Sequence, residues 1–217
     1  MKKPHAAKKN LTSLRIGRGT LGGRLIRFPI HEGLRPTPTK VREAVFSILG
    51  EFAASHGFLD LCAGSGAMGF QALSMGFHPV IFLEAHGTAA RQLRTNAENL
   101  GVSATIWNRS AYDLKAGEIN AGCWVLYADP PYKENSFHPR MMDLLGRFAV
   151  LAAGSLYVAE TERDSPPPHH PAWHLWKQKQ YGRTMIGFYQ NNRPDPASSA
   201  WQQGNFFPST PPEPGGR

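Results

Sequence analysis

The stretch Asp60-Leu61-Cys62-Ala63-Gly64-Ser65-Gly66-Ala67-Met68-Gly69 decides how this chain folds. An apolar run, Phe58 to Cys62, enters a Gly-x-Gly-x-x-Gly turn, and a helix is expected near Ala67 to Met75. Gly64 and Gly66 let the backbone turn sharply and approach a bound molecule, and Gly69 permits close helix packing; open α/β sheets bind ligands in such strand-turn-helix crevices. Dinucleotide-binding domains share this pattern, and Glu84 lies twenty residues after Gly64, where a carboxylate can accept from both ribose hydroxyls. An NAD-dependent oxidoreductase or a noncatalytic nucleotide-binding module therefore competes as a reading. Asp60 separates the alternatives. Four residues before Gly64 it ends the strand, where its carboxylate would repel a pyrophosphate but suit the ammonium of an amino acid. S-adenosylmethionine has that ammonium and no phosphate, so Asp60, Cys62, Ala63, Gly64, Gly66 and Glu84 are expected to hold it.

Outward from this turn, strands and helices alternate. Val80 to Leu83, Ala104 to Trp107, Trp124 to Ala128 and Ser155 to Ala159 read as strands, with helices near Thr88 to Leu100 and Pro139 to Phe148. Their continuous apolar character predicts an α/β, Rossmann-like, mostly parallel sheet covered on both faces. Trp173 to Gln180 and Arg183 to Tyr189 are separated by Tyr181-Gly182 alone, so the sheet should end in an antiparallel hairpin. Upstream, Leu14 to Gly17 and Arg24 to Phe28 predict a small N-terminal β-hairpin. Thr37 is a suitable N-cap and Pro38 a suitable first helical residue for an amphipathic helix through Leu49, with Lys40 and Arg42 off its apolar stripe. The expected organisation is a flexible basic arm (1–13), a nucleic-acid-binding hairpin and helix (14–56), a catalytic domain (57–190), and a disordered tail (191–217) containing six prolines.

Charge is divided unevenly along the chain. Residues 1–42 carry eleven Lys/Arg against the single acid Glu32, whereas the remaining residues are close to neutral. A basic segment on a neutral body points to a polyanion, because neutralised phosphates release counterions. Arg15, Arg18, Arg24, Arg27, Arg35, Lys40 and Arg42 are the candidate contacts. No apolar run is long enough to span a bilayer and no apolar signal core follows Met1, so a cytoplasmic protein is expected. Cys62 and Cys123 each fall in an apparent strand without metal-ligand spacing, and His169-His170 lack partners at such spacing; no metal is expected. Ser65 lacks the Gly-x-Ser-x-Gly frame of a hydrolase elbow.

The chemistry is concentrated in Asp129-Pro130-Pro131-Tyr132, at the end of the fourth core strand. That strand's carboxyl end should lie beside the crevice. An exocyclic amine of a nucleobase is a poor nucleophile because its lone pair is delocalised into the ring. When the Asp129 carboxylate and the Pro130 carbonyl accept its N–H protons, the nitrogen moves toward tetrahedral geometry and can attack a sulfonium methyl. Pro130 and Pro131 stiffen the turn, and Tyr132 offers a face on which the base stacks. Amino-group methylation of guanine, adenine or cytosine follows, and DNA adenine-N6 methylation remains an alternative that the tetrapeptide fits equally.

The Arg-rich hairpin, Arg35-Pro36-Thr37 with Val41-Arg42-Glu43-Ala44-Val45-Phe46, the Asp60 to Gly66 turn, Ala72-Leu73-Ser74 and Asp129-Pro130-Pro131-Tyr132 together resemble the bacterial small-subunit ribosomal RNA methyltransferases of the D type, over roughly residues 14–189. The resemblance implies guanine N2 in 16S rRNA as the target, free or in an assembling small subunit. It also implies a class I methyltransferase fold with a seven-stranded sheet and reversed last strand, a hairpin that contacts RNA, and Thr37 near the cofactor; separately, a monomer is expected. Two positions depart from the family pattern. Ser110 stands where such enzymes commonly place an acid to accept from the adenine amine, and a hydroxyl still accepts that bond. Ser74-Met75-Gly76 replaces a Ser-Arg-Gly.

Overall fold

The computed structural model describes residues 11–30, 37–131, 136–148 and 150–191. Arg35, Tyr132, residues 1–10 and residues 192–217 lie outside them. Seven strands form one sheet: β3 (Gly57–Asp60), β4 (Val80–Leu83), β5 (Thr105–Trp107), β6 (Trp124–Ala128), β7 (Leu156–Glu162), β8 (Trp173–Tyr181) and β9 (Thr184–Asn191). Their spatial order is β5-β4-β3-β6-β7-β9-β8. The first five of these positions are parallel, while β9 runs antiparallel to β7 and β8 antiparallel to β9. The chain steps outward from β3 to β5, then crosses back to β6 and proceeds the other way. This reversal opens a crevice at the carboxyl ends of β3 and β6.

Apolar residues on both faces of the strands produce two core layers. Phe58, Val125, Val158 and Ile186 pack against α1 (Thr39–Leu49), α2 (Ala67–Met75) and α3 (Gly87–Leu100). Leu59, Leu126, Tyr157 and Ala159 pack with α4 (Phe137–Gly146) on the other face. Gly69 is needed for this closeness: a Cβ there would lie 2.1 Å from the Phe82 ring. Cys62 and Cys123 lie just beyond β3 and just before β6, outside the strands in which they were expected, because the backbone leaves the ladder at Asp60 and joins it at Trp124. Among the described residues no helix is long and apolar enough to cross a membrane.

The N-terminal hairpin consists of β1 (Leu11–Arg15) and β2 (Leu25–Pro29). Its first strand starts at Leu11, inside the segment expected to be a flexible arm, because Leu11, Thr12 and Ser13 pair with Pro29, Phe28 and Arg27. The hairpin is fastened to the body of the sheet domain by buried polar side chains. Gln71 accepts from Gly17 N at 2.8 Å and donates to Arg18 O at 2.9 Å; Ser74 Oγ accepts from Leu21 N at 2.9 Å. Asn96 accepts from Arg27 N at 3.1 Å and donates to Arg27 O at 2.7 Å. Hairpin and body are therefore one unit. Helix α1 starts at Thr39, with Pro38 as its N-cap in extended conformation, so Thr37 is not the cap and Pro38 is not its first helical residue. Arg42 also departs from expectation. It is 1% exposed, beneath the hairpin, and its Nη2 donates to Arg15 O at 2.8 Å.

Asn96 is 3% exposed and replaces a missing ladder partner for β2. Asn96→Ala should leave the Arg27 backbone groups unsatisfied and cost about 1–3 kcal/mol. Thermal or urea denaturation of the full chain checks this; an unchanged midpoint would show that the hairpin is not fastened through Asn96.

Candidate active site

An open cleft of about 1690 Å³ follows the carboxyl ends of β3, β4, β6 and β7. Its first end is the glycine turn. Gly66 has φ +79°, and a Cβ there would meet Leu93 at 2.4 Å, so the sharp bend requires glycine. Gly66 itself lies behind the lining; Cys62, Ala63 and Gly64 form the surface. Glu84 holds this surface in place. Its Oε2 accepts from Gly64 N at 2.7 Å and its Oε1 from His86 N at 2.6 Å, leaving further lone pairs directed outward. Asn108 Nδ2 donates to Glu84 O at 2.8 Å and Ala85 O at 3.1 Å, a support the sequence reading missed. Ser110 lines the cleft, and its Oγ already accepts from Tyr112 N at 3.3 Å as the cap of a short turn.

Strand register sets the centre of the site. Asp60 pairs with Tyr127, and Tyr127 with Val158, so these side chains share one face of the sheet. One period further along, Asp129 and Glu160 project on that same face. Asp60, Asp129 and Glu160 all line the cleft, together with Thr37, Pro130 and Pro131. Among the described residues, none of these three carboxyl groups belongs to a salt bridge. Burial, opposed by hydrogen bonds from Gly69 and Cys62 and assisted by the charge of Glu84, pushes the Asp60 carboxyl up to about 7. The Gly69 bond to Asp60 Oδ2 is 3.1 Å. Burial also raises Asp129 well above the usual carboxylate range, with Glu160 and then Asp60 adding to the effect.

Glu160, 4% exposed, was absent from the residues expected from sequence, although it follows the apolar run of its strand as Asp60 and Asp129 follow theirs. The Tyr127 hydroxyl donates to its Oε2, and the Thr37 hydroxyl hydrogen-bonds the same phenol. Thr37, freed from capping, is thereby drawn into the cleft. His138 secures the strand end: one ring nitrogen lies 3.0 Å from Glu160 O and the other 2.9 Å from the Tyr157 hydroxyl. Burial lowers its pKa to about 4, so the ring is neutral.

The cationic residues are scattered by comparison. Arg15, Arg18 and Arg27 are exposed on or beside the hairpin, and Lys40 is exposed at the cleft. Arg24 donates to Leu100 O and Asn99 O, each at 2.8 Å, and so caps the carbonyl end of α3. Arg42 is buried and cannot be an RNA contact; burial lowers its pKa. Tyr132 lies outside the described residues.

A reversed-order sheet with a glycine turn, an acidic strand end and an Asp-Pro-Pro turn across from it defines a class I methyltransferase. Residues 14–190 match the family model described as Conserved hypothetical protein 95, and the chain belongs to that family. It is 36% identical, over 82% of its length and 94% of the relative's, to ribosomal RNA small subunit methyltransferase D of Haemophilus influenzae. A solved chain from Escherichia coli is 29% identical with a TM-score of 0.72, covering 84% of this chain and 100% of that one. An RNA methyltransferase of Salinibacter ruber solved with S-adenosyl-L-homocysteine shares the fold, at 16% identity and a TM-score of 0.56 over 76% of this chain and 98% of that one.

Glu160 raises the proton affinity of Asp129, so Glu160→Gln should lower the Asp129 pKa and move the acidic limb of the kcat–pH profile to lower pH. Gln retains an acceptor for Tyr127, which keeps the packing. An unmoved limb in single-turnover methyl-transfer rates between pH 5 and 9 would remove Glu160 from this role.

Proposed function

We propose that this protein transfers a methyl group from S-adenosylmethionine to the exocyclic N2 of a guanine in 16S rRNA, free or in an assembling small subunit. The observation that carries the reading is the gathering of three cleft carboxyl groups, Asp60, Asp129 of the Asp-Pro-Pro turn and Glu160, that among the described residues have no salt-bridge partner. A dinucleotide brings two negative charges to such a place and is repelled. S-adenosylmethionine brings a sulfonium and an ammonium, which offset the mutual repulsion of Asp60, Asp129 and Glu160. The glycine turn and Glu84 would take its amino-acid and ribose parts, and Ser110 its adenine. When bound, it supplies an electrophilic methyl on a cationic sulfur.

The chain's own residues do the remainder by positioning and electrostatics. The Asp129 carboxylate and Pro130 carbonyl accept the two N–H groups of the target amine and turn its lone pair toward the methyl. The product amine must lose one proton, and Asp129, made more basic by Glu160, is the acceptor in contact. Guanine in ribosomal RNA, over other amine-bearing bases, is supported by the family relationship and by the basic hairpin. No separate target-recognition domain of the kind a DNA enzyme needs is present among the described residues.

Incubation with labelled S-adenosylmethionine and 16S rRNA, assembled small subunits, 23S rRNA or DNA should yield N2-methylguanine from the first two alone. N6-methyladenine in the digest would overturn the base assignment. Asp129→Ala is expected to lower kcat by about a thousandfold with little change in cofactor Kd, as loss of a transition-state contact requires. Cofactor affinity itself should depend on pH. A cation binds the deprotonated cleft better, so affinity falls as pH drops through about 7, where Asp60 takes up its proton. Calorimetry in buffers of different ionisation enthalpy should show proton release on binding near pH 7; heats independent of buffer would contradict it.

A further inference from the structure

The cleft extends past the glycine turn and Glu84 to a second end. Typical small-molecule pockets enclose roughly 300–1,000 Å³, and this cleft is about 1690 Å³. Beyond Asp129, away from Gly64 and Glu84, it is lined by Lys40 from α1 and by Gln180, Tyr181, Arg183 and Thr184 from the β8–β9 turn. Register explains their arrival. Thr184 pairs with both Glu162 and Tyr181, so the hairpin carries its two-residue turn past the carboxyl end of β7 and over the site. Period two also places Tyr181, Thr184 and Glu160 on the same face of the sheet.

Charge changes sign across this end. The floor presents Asp129, Glu160 and Glu162, whereas the hairpin from Trp173 to Asn191 carries Lys177, Lys179 and Arg183 and no acid. Among the described residues neither Lys40 nor Arg183 is in a salt bridge, and Asp164, the acid near Arg183, is paired with Arg163 at 2.9 Å. An acidic floor with a cationic, aromatic rim is complementary to a nucleotide: the base and its amine go inward, the phosphates stay outside. We propose that this end is the acceptor-nucleotide subsite, in which Tyr181 stacks on the target base while Lys40 and Arg183 hold its flanking phosphates. The proposal rests on the methyltransferase reading above and adds the residues that select and hold the RNA. It also requires the base to be unstacked from its neighbours, since the reacting amine must reach Asp129 at the bottom of the cleft.

The test uses the full-length protein and small subunits isolated from cells lacking it. Tyr181→Ala should lower kcat/KM for the subunits roughly tenfold or more, in line with loss of one base stack, while calorimetric S-adenosylmethionine affinity stays within about twofold. Tyr181→Phe should recover most of the loss. Lys40→Glu and Arg183→Glu should lower kcat/KM and flatten its salt dependence; Arg147→Glu, a like charge change on an exposed residue outside the cleft lining, should do neither. Normal kcat/KM in Tyr181→Ala and Arg183→Glu overturns the proposal, and so does a parallel loss of cofactor affinity, which would assign these residues to the donor. If wild-type protein methylates a different nucleic acid, the guanine reading fails and the same variants assayed on that acid still decide the subsite. No transfer to any nucleic acid overturns both.

Discussion

The parallel register of β3, β6 and β7 is the constraint from which the site follows. Each strand ends on an acid or leads directly to one, and hydrogen bonding between the strands leaves no freedom in how those ends align. With Asp60 beside Tyr127, and Tyr127 beside Val158, the carboxyl groups of Asp60, Asp129 and Glu160 must gather on one face at one edge. Slipping any strand by one residue would turn its acid to the opposite face, into the layer of Leu59, Leu126 and Tyr157. Continuous apolar burial on both sides of the strands prevents that slip.

Gathering acids in a partly dry crevice works against folding. Asp60 holds its proton up to about 7 in the folded protein, against 3.8 ordinarily. The folded state thus binds more protons than the unfolded state between those values. The contribution of Asp60 to stability is fully present below the lower value and is lost as pH rises through the upper one. What this strain provides is a site already polarised for a cationic methyl donor and a protonic amine. Backbone bonds from Gly69 to Asp60, and from Gly64 and His86 to Glu84, fix the carboxylates before any ligand arrives, so little reorganisation remains for the reaction itself.

The basic residues follow a different logic. Several that a linear reading groups as one surface prove to be fasteners: Arg42 beneath the hairpin, Arg24 on the end of α3. Arg24, from the hairpin, donates to the last carbonyls of α3, and Arg42, from α1, donates to a carbonyl of the hairpin, so both tie the hairpin to the body. Of the other cations on the hairpin and at the cleft, Arg15, Arg18, Arg27, Lys40 and Arg183 are exposed. The exposed hairpin cations and the cleft consequently belong to one folded unit.

Much of this was readable along the chain. Strand and helix alternation, the glycine turn, the closing hairpin and the Asp129 to Pro131 turn all depend on local backbone preference and hydrophobic period, which a sequence displays directly. Residues that act through distant partners were not readable in the same way. Thr37 has the chemistry of a helix cap, and only the position of Tyr127, ninety residues away, draws it into the cleft. Arg42 sits at a polar position of a helical pattern, yet the hairpin covers it. Glu160 lies near the end of β7 and follows its apolar run as many surface acids do, and its meaning comes from the strand beside it. Local sequence specifies which elements form and which turns bend; side-chain roles that arise from register and docking require the elements to be assembled, because the partners that define them are contributed by other segments of the chain.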